Sequence, residues 1–304
     1  MAGLKSIKLK IRSVEKTRKV TKAMEAVSAA KMRKSQAKAL SGRAYARAAV
    51  AILARVSGAR ELSQHPLTQV REIKNTLYIV ITSDKGLAGA LNSAVLRAVW
   101  NEMRQNGDTN ARVIAVGRKA NDFFTIRGVN VVTYHQNTDQ ISSELIRELV
   151  DTAAAQFTSG EVDQVKIAYQ NFLSTFEQRP TIRTIFPLTL DELSQVVGDI
   201  VPARGVFAEP AAATTAAPAT YTIEPSEGEV LDVIVPRLAS IFVYHALLET
   251  QASEHSARMV AMKSASDKAK EVTHELTIDF NKARQAAITR EVSEITGGME
   301  AMTA

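Results

Sequence analysis

Residues 4–27 read LKSIKLKIRSVEKTRKVTKAMEAV. Leu4, Ile7, Ile11 and Val14 recur at spacings of three, four and three, which places them on one face of an α-helix and not on alternate faces of a strand. Nothing nearby breaks the helix. From Leu4 to Val56 there is no proline, Gly42 is the only glycine, and Ala, Lys, Arg, Met and Glu dominate. The pattern predicts an N-terminal helix over 1–57, on the order of 75 Å long at about 1.5 Å per residue. Its apolar stripe is narrow, as a seam for one partner helix would be, and it resumes out of phase at Val20, Met24 and Val27, a stutter in a coiled coil.

Outward from this arm, the other end of the chain repeats the grammar. After Pro225 and Gly228 a helical pattern covers 229–296, with Pro236 as the expected kink. Its early part is richly apolar (Val230, Leu231, Ile234, Leu238, Ile241, Phe242, Leu247, Leu248). Further on a narrow stripe remains: Val272, Leu276, Phe280, Ala283 and Ala287, then Ile288, Val292 and Ile295. Gly297 and Gly298 are expected to close the helix. Two terminal helices with one seam each bury those seams most simply against each other, which predicts a long antiparallel coiled coil.

The middle alternates. NTLYIVIT (75–82), ARVIAVG (111–117), VNVVTY (129–134), QVKIAYQNF (164–172) and TIRTIFP (181–187) read as strands, with helical stretches at 87–105, 117–126 and 139–158. Such alternation predicts a Rossmann-like α/β domain over 75–190 with a mainly parallel sheet. Residues 203–220, ARGVFAEPAAATTAAPAT, read as an Ala/Thr/Pro-rich loop or linker.

Charge is unevenly spread. Residues 1–47 hold fourteen Lys and Arg against Glu15 and Glu25, a local balance of +12 within a total of +6, so the remainder carries −6. A basic arm on a mildly acidic body calls for an acidic partner. With Tyr45 as the arm's only aromatic, no stacking residues alternate with its charges, which favours an acidic protein surface over nucleic acid. The absence of cysteine excludes disulfides and thiolate chemistry, and no run of apolar residues is long enough for a transmembrane span.

No catalytic constellation stands out. SDKGLAGALN (83–92) follows the first strand and opens a helix as a phosphate-binding turn would, yet it has the spacing of neither GxGxxG nor GxxxxGK[ST]. Tight turning and close helix–sheet packing account for Gly86 and Gly89, and Ser83, Asp84, Lys85 and Gly86 are read as a candidate partner-contact loop. His65, His135, His245, His255 and His274 show no metal-ligand spacing, and no pair of carboxylates forms an evident acid/base couple. Two other functions fit the same patterns: a basic coiled-coil adaptor for nucleic acid or anionic membrane, and a nucleotide-dependent α/β enzyme.

Four blocks carry a family resemblance: IRSVEKTRKVTKAMEAVSAAKMRKSQ (11–36), TSDKGLAGALN (82–92), ASEHSARMVAMKSASDKAKE (252–271) and NKARQAAITREVSEI (281–295). Together they resemble the γ subunit of bacterial F-type ATP synthases and span nearly the whole chain. The resemblance implies a non-catalytic central shaft whose coiled coil turns inside a ring of three α and three β subunits. Its α/β domain would hold ε and rest on the membrane c ring, at the cytoplasmic face of the bacterial inner membrane. No cofactor would be bound by this chain, ATP, ADP and Mg being held on partner subunits. By position, Arg284 and Gln285 match the family's contact with a β loop, Thr289 and Glu294 match coupling positions, and Met24 lies near a β lever. Tyr221 and Glu224 match the foot on the c ring. A shaft turning in a sleeve should avoid large apolar anchors, and residues 252–269 are mostly small or polar. Two departures accompany the match: 203–220 is extra relative to shorter bacterial members, and the cysteine-bearing segment of chloroplast members is absent.

Overall fold

The computed structural model describes residues 2–56, 65–189 and 226–303. The linker 203–220 and the foot residues Tyr221 and Glu224 lie outside them. The chain forms two compact units, one of residues 30–257 and one that joins 1–29 to 258–304.

The larger unit is built on a five-stranded sheet. Its strands are β1 (Thr76–Ile81), β2 (Arg112–Val116), β3 (Asn130–His135), β4 (Gln164–Phe172) and β5 (Gln178–Phe186), in the order β3-β2-β1-β4-β5. The first four run parallel; β5 returns antiparallel beside β4. The sheet is therefore mainly parallel, as the alternation predicts. Between the strands lie α2 (Leu91–Gln105), α3 (Arg118–Ile126) and α4 (Ser143–Thr158), with α1 (Ala2–Val56) and α5 (Glu227–Thr303) at the chain's two ends.

Alternation along β1 makes two cores. Leu77, Ile79 and Ile81 face α4 (Leu149, Val150, Ala153, Phe157) and the early part of α5, where Leu231, Val235, Leu238, Phe242, Val243 and Leu247 are buried. Tyr78 and Val80 face α2 (Val95, Leu96, Val99, Met103) and α3 (Ala120, Phe124) on the other side. Fully burying a side chain such as Phe124 or Phe157 contributes about 1.5–3 kcal/mol. α5 contains a window apolar and long enough to cross a membrane by length and composition alone. The buried row from Leu231 to Leu247 shows the part of that helix spent on the sheet.

Two helix starts fall later than the periodicity predicts, for local reasons. α2 begins at Leu91 and not near 87, because Leu87 and Gly89 take left-handed backbone angles (φ 64° and 59°) that a helix cannot contain. α4 begins at Ser143 because the Ser142 hydroxyl accepts from the Leu145 N–H at 3.1 Å and caps it. At the far end, α5 runs through Gly297 and Gly298 to Thr303, where the glycines were expected to stop it. Neither adopts the left-handed angle of a terminating cap. Pro236 also lies inside α5, and the Ser240 hydroxyl donates to its carbonyl at 2.9 Å.

The smaller unit is the antiparallel pairing of α1 with α5. Its α1 seam differs from the expected stutter. Burial continues in phase through Leu4, Ile7, Ile11, Val14, Arg18, Thr21, Glu25 and Ser28, at regular spacings of three and four. Val20 and Val27 are 58% and 56% exposed, and Met24 is half-buried beside the seam, not within it. Apolar identity misled the reading here, because the seam turns polar and small while keeping its period. On α5 the matching row is Met262, Ser266, Ala269, Thr273, Leu276, Phe280, Ala283 and Ala287. Small side chains such as Thr21, Ser28, Ser266 and Ala269 let two helix backbones approach closely where leucines would hold them apart. Residues 252–269 expose no large apolar side chain, as expected, and present Lys263, Ser264, Ala265, Asp267 and Lys268 outward. Ser266 and Ala269 are buried in the helix pairing, whereas Ser253 and Ser256 belong to the larger unit, where their hydroxyls donate to the Gln170 and Thr175 carbonyls.

Candidate functional site

The exposed apolar residues of the paired helices mark where something else must fit. On α1, Val20 and Val27 stand out from the seam with Met24 between them, and Leu9 is 57% exposed further back. Around them Lys5, Lys8, Lys10, Lys16, Lys19 and Lys22 are exposed, and the Lys22 ammonium reaches Glu25 at 3.1 Å. A basic ridge with an apolar spine is complementary to an acidic surface that also offers apolar contact.

The end of α5 carries a second ridge. Ile288, Val292, Ile295 and Met299 are 52–64% exposed and recur at spacings of four, three and four. They are not the continuation of the seam that the sequence suggested. Each residue advances about 100° around a helix, so this row lies roughly a third of a turn from Leu276, Phe280, Ala283 and Ala287. Arg284, Gln285, Thr289 and Glu294 are all exposed on the same terminal stretch. Thr289 spends its hydroxyl on the Gln285 carbonyl at 3.0 Å, while Arg284 and Gln285 flank the apolar row. Contiguous exposed apolar side chains of this kind mark a partner-facing surface.

The loop after β1 divides its residues between construction and display. Ser83 is fully buried. Its N–H donates to Asn92 Oδ1 at 3.0 Å, its hydroxyl donates to the Lys85 carbonyl at 2.7 Å, and Asn92 Nδ2 donates back to it at 2.8 Å. Asp84 accepts from the Arg118 N–H at 2.7 Å, capping the first turn of α3. Ser83 and Asp84 therefore shape the turn, and Lys85, Gly86 and Leu87 are what it presents. Leu87 was not singled out from the sequence. It is 61% exposed in a left-handed conformation, an unusual backbone for a γ-branched residue. The glycines on either side of it were the only signal available. Close by on the sheet edge, burial and the Asp84 carboxylate push the Tyr134 hydroxyl pKa upward.

Among the described residues no three His, Asp or Glu side chains gather as metal ligands. His65 meets Asp232 at 3.3 Å, His135 meets Glu148 at 3.8 Å and His255 meets Asp139 at 3.7 Å, so these histidines join separate elements in pairs. Burial lowers the His65 pKa against the pull of Asp232.

The surfaces described above lie on a chain with many relatives. The family model described as ATP synthase matches residues 3–302. A protein named ATP synthase gamma chain from Ralstonia nicotianae is 42% identical over 305 residues, covering 99% of this chain and 100% of the relative. Its namesake from Heliobacterium modesticaldum is 38% identical with the same coverage. Among solved structures, a chain of the Euglena gracilis mitochondrial ATP synthase (OSCP/F1/c-ring, rotational state 3) is similar with a TM-score of 0.64 at 18% identity, covering 99% of this chain and 95% of that one. A chain of the Tetrahymena thermophila mitochondrial ATP synthase central stalk and c ring gives 0.60 at 22%, covering 81% and 99%. At such identities the structural likeness speaks for the fold.

Proposed function

The chain belongs to the ATP synthase γ-chain family, and from that premise we propose that it is the central rotor shaft of such an enzyme. Proton-driven turning of the c ring reaches the β-subunit sites through it, and ATP hydrolysis drives it in reverse. The observation that carries this reading is the pair of exposed apolar ridges on helices already paired with each other. A helix that has satisfied its seam and still shows a second apolar face has a further neighbour. A basic ridge on α1 and an isoleucine–valine ridge on α5 fit a sleeve of α and β subunits that touches the two helices differently. An asymmetric shaft is what gives three chemically identical sites different states at one moment.

Three α and three β subunits are thus the partners of Met24, Arg284, Gln285, Thr289 and Glu294. The loop presenting Lys85, Gly86 and Leu87 adds a contact at the base of the sleeve. The ε subunit and the c ring are partners of the α/β domain, with Tyr221 and Glu224 as its foot. The complex sits at the cytoplasmic face of the bacterial inner membrane, and nucleotide and Mg belong to α and β. The nucleic-acid adaptor and the nucleotide-dependent enzyme give way to this reading, because the family match runs the whole length of the chain.

Reconstitution tests it. The purified chain is expected neither to hydrolyse ATP nor to bind it tightly, and to raise the steady hydrolysis rate of α and β when the three assemble. A stoichiometric, Mg-dependent ATPase in the chain alone would contradict the assignment, as would failure to assemble with α and β.

A further inference from the structure

Three consecutive residues between β3 and α4 reach three different parts of the larger unit. Asn137 Nδ2 donates to the Thr82 carbonyl at the end of β1, 2.7 Å away. The Thr138 carbonyl accepts from Gln251 Nε2 of α5 at 2.7 Å. Asp139 then meets both long helices, its Oδ2 accepting from Lys31 Nζ of α1 at 2.5 Å and its Oδ1 standing 3.7 Å from His255 Nε2 of α5. The Lys31 hydrogen bond, together with the charges of Lys31, His255 and Lys85, holds the Asp139 carboxyl below the usual carboxylate range despite partial burial. One carboxylate thus meets Lys31 of α1 and His255 of α5.

α5 is fixed by buried apolar side chains from Leu231 to Leu247. On α1, Met32 and Ser35, close to Lys31 in sequence, are buried. Lys31 and His255 also stand, in sequence, within one helical turn of the points where α1 and α5 pass into the smaller unit.

We propose that Asp139 is a latch, a positioning residue that fastens the sheet's β3–α4 loop to α1 and α5 together, so that turning of the domain is passed to both helices. The proposal rests on the rotor reading. Lys31 and Asp139 are 39% and 55% exposed, so the pair adds little to stability and acts by holding a register. An exposed ion pair biases an open–closed equilibrium by no more than about fivefold, which sets the size of the effect.

The test uses the assembled ATP synthase in inverted membrane vesicles, measuring ATP hydrolysis and ATP-driven proton pumping on the same preparation. With Asp139→Asn, hydrolysis is expected to stay unchanged while protons pumped per ATP fall about twofold to fivefold. Lys31→Asn is expected to do the same, and the double variant to be no worse than either single one, because both remove one contact. Asp139→Glu, which keeps the charge, is expected to restore pumping. Equal pumping by Asp139→Asn and the unsubstituted chain, losses that add in the double variant, or hydrolysis falling in step with pumping would each overturn the latch. If the unsubstituted chain itself supports no pumping, the rotor reading fails and the latch with it. An active parent with an unaffected variant sinks the latch alone.

Discussion

Gly117→Ala is expected to destabilise the protein strongly, with a urea midpoint well below that of the unsubstituted chain. Gly117 precedes α3 with φ at 94°, a backbone conformation that L side chains rarely adopt. A Cβ there would lie 2.2 Å from the Thr82 carbonyl oxygen, 2.6 Å from its carbon and 2.8 Å from the Thr82 hydroxyl. Neither strand can retreat. The Thr82 N–H donates to the Val116 carbonyl at 2.8 Å, the Gly117 N–H donates to His135 at 2.8 Å, and the Thr82 hydroxyl accepts from the Ala120 N–H at 2.9 Å. Left-handed strain and a backbone clash together cost on the order of 3–5 kcal/mol, a large share of the roughly 5–15 kcal/mol that holds a protein folded. Gly128→Ala is the internal comparison. Its φ is 71°, but a Cβ meets nothing within 4 Å, so the loss there is only about 1–2 kcal/mol. Urea unfolding of both variants measures the difference, and equal midpoints would show that the β1–β2 crossing is looser than its hydrogen bonds indicate.

Met24→Lys is expected to separate the two activities of the complex: hydrolysis persists while ATP-driven proton pumping falls severalfold. Met24 lies half-buried on the outward ridge between exposed Val20 and Val27, so the new charge leaves the α1–α5 seam intact. In the rotor we propose, it faces the sleeve instead. There a desolvated ammonium either meets a carboxylate too strongly or meets none, and charge-assisted contacts of this kind are worth about 1.5–3 kcal/mol. A contact that strong at one angle stalls a shaft whose ordinary contacts are made and broken in turn. Removing a single lysine from the same ridge is expected to do far less, because each exposed ion pair contributes only about 0–1 kcal/mol. Proportional loss of hydrolysis and pumping, or loss of neither, would show that this ridge does not bear on coupling.

Period told more than identity in reading this sequence. The sheet was legible because four short strand-like runs alternate with helical ones and a fifth follows the last of them directly, and every parallel strand lies where its run does. The coiled coil was legible as a pair of helices, and its seam in part: Leu4 to Val14 and Leu276 to Ala287 lie on the paired faces as read. A buried row passing through Arg18, Thr21, Glu25 and Ser28 gives no apolar signal, and the apolar Val20 and Val27 beside it point outward. Ile288, Val292 and Ile295 misled in the same way, since an exposed ridge for a partner has the composition of a seam. Loop chemistry was the least legible part. Ser83 and Asp84 look available in the sequence and are spent on building the turn, whereas Leu87 and Asp139 become noticeable only once backbone angles and contacts between distant residues are known.

ATP-driven rotation tests the central claim most directly. The chain has no cysteine, so Asn110→Cys, on an exposed turn of the α/β domain, offers this subunit a single site for a visible probe. With α and β subunits fixed to a surface and ATP supplied, the probe is expected to turn continuously in one direction, in steps set by the threefold ring. A probe that stays fixed while the immobilised complexes hydrolyse ATP at their full rate would contradict the account.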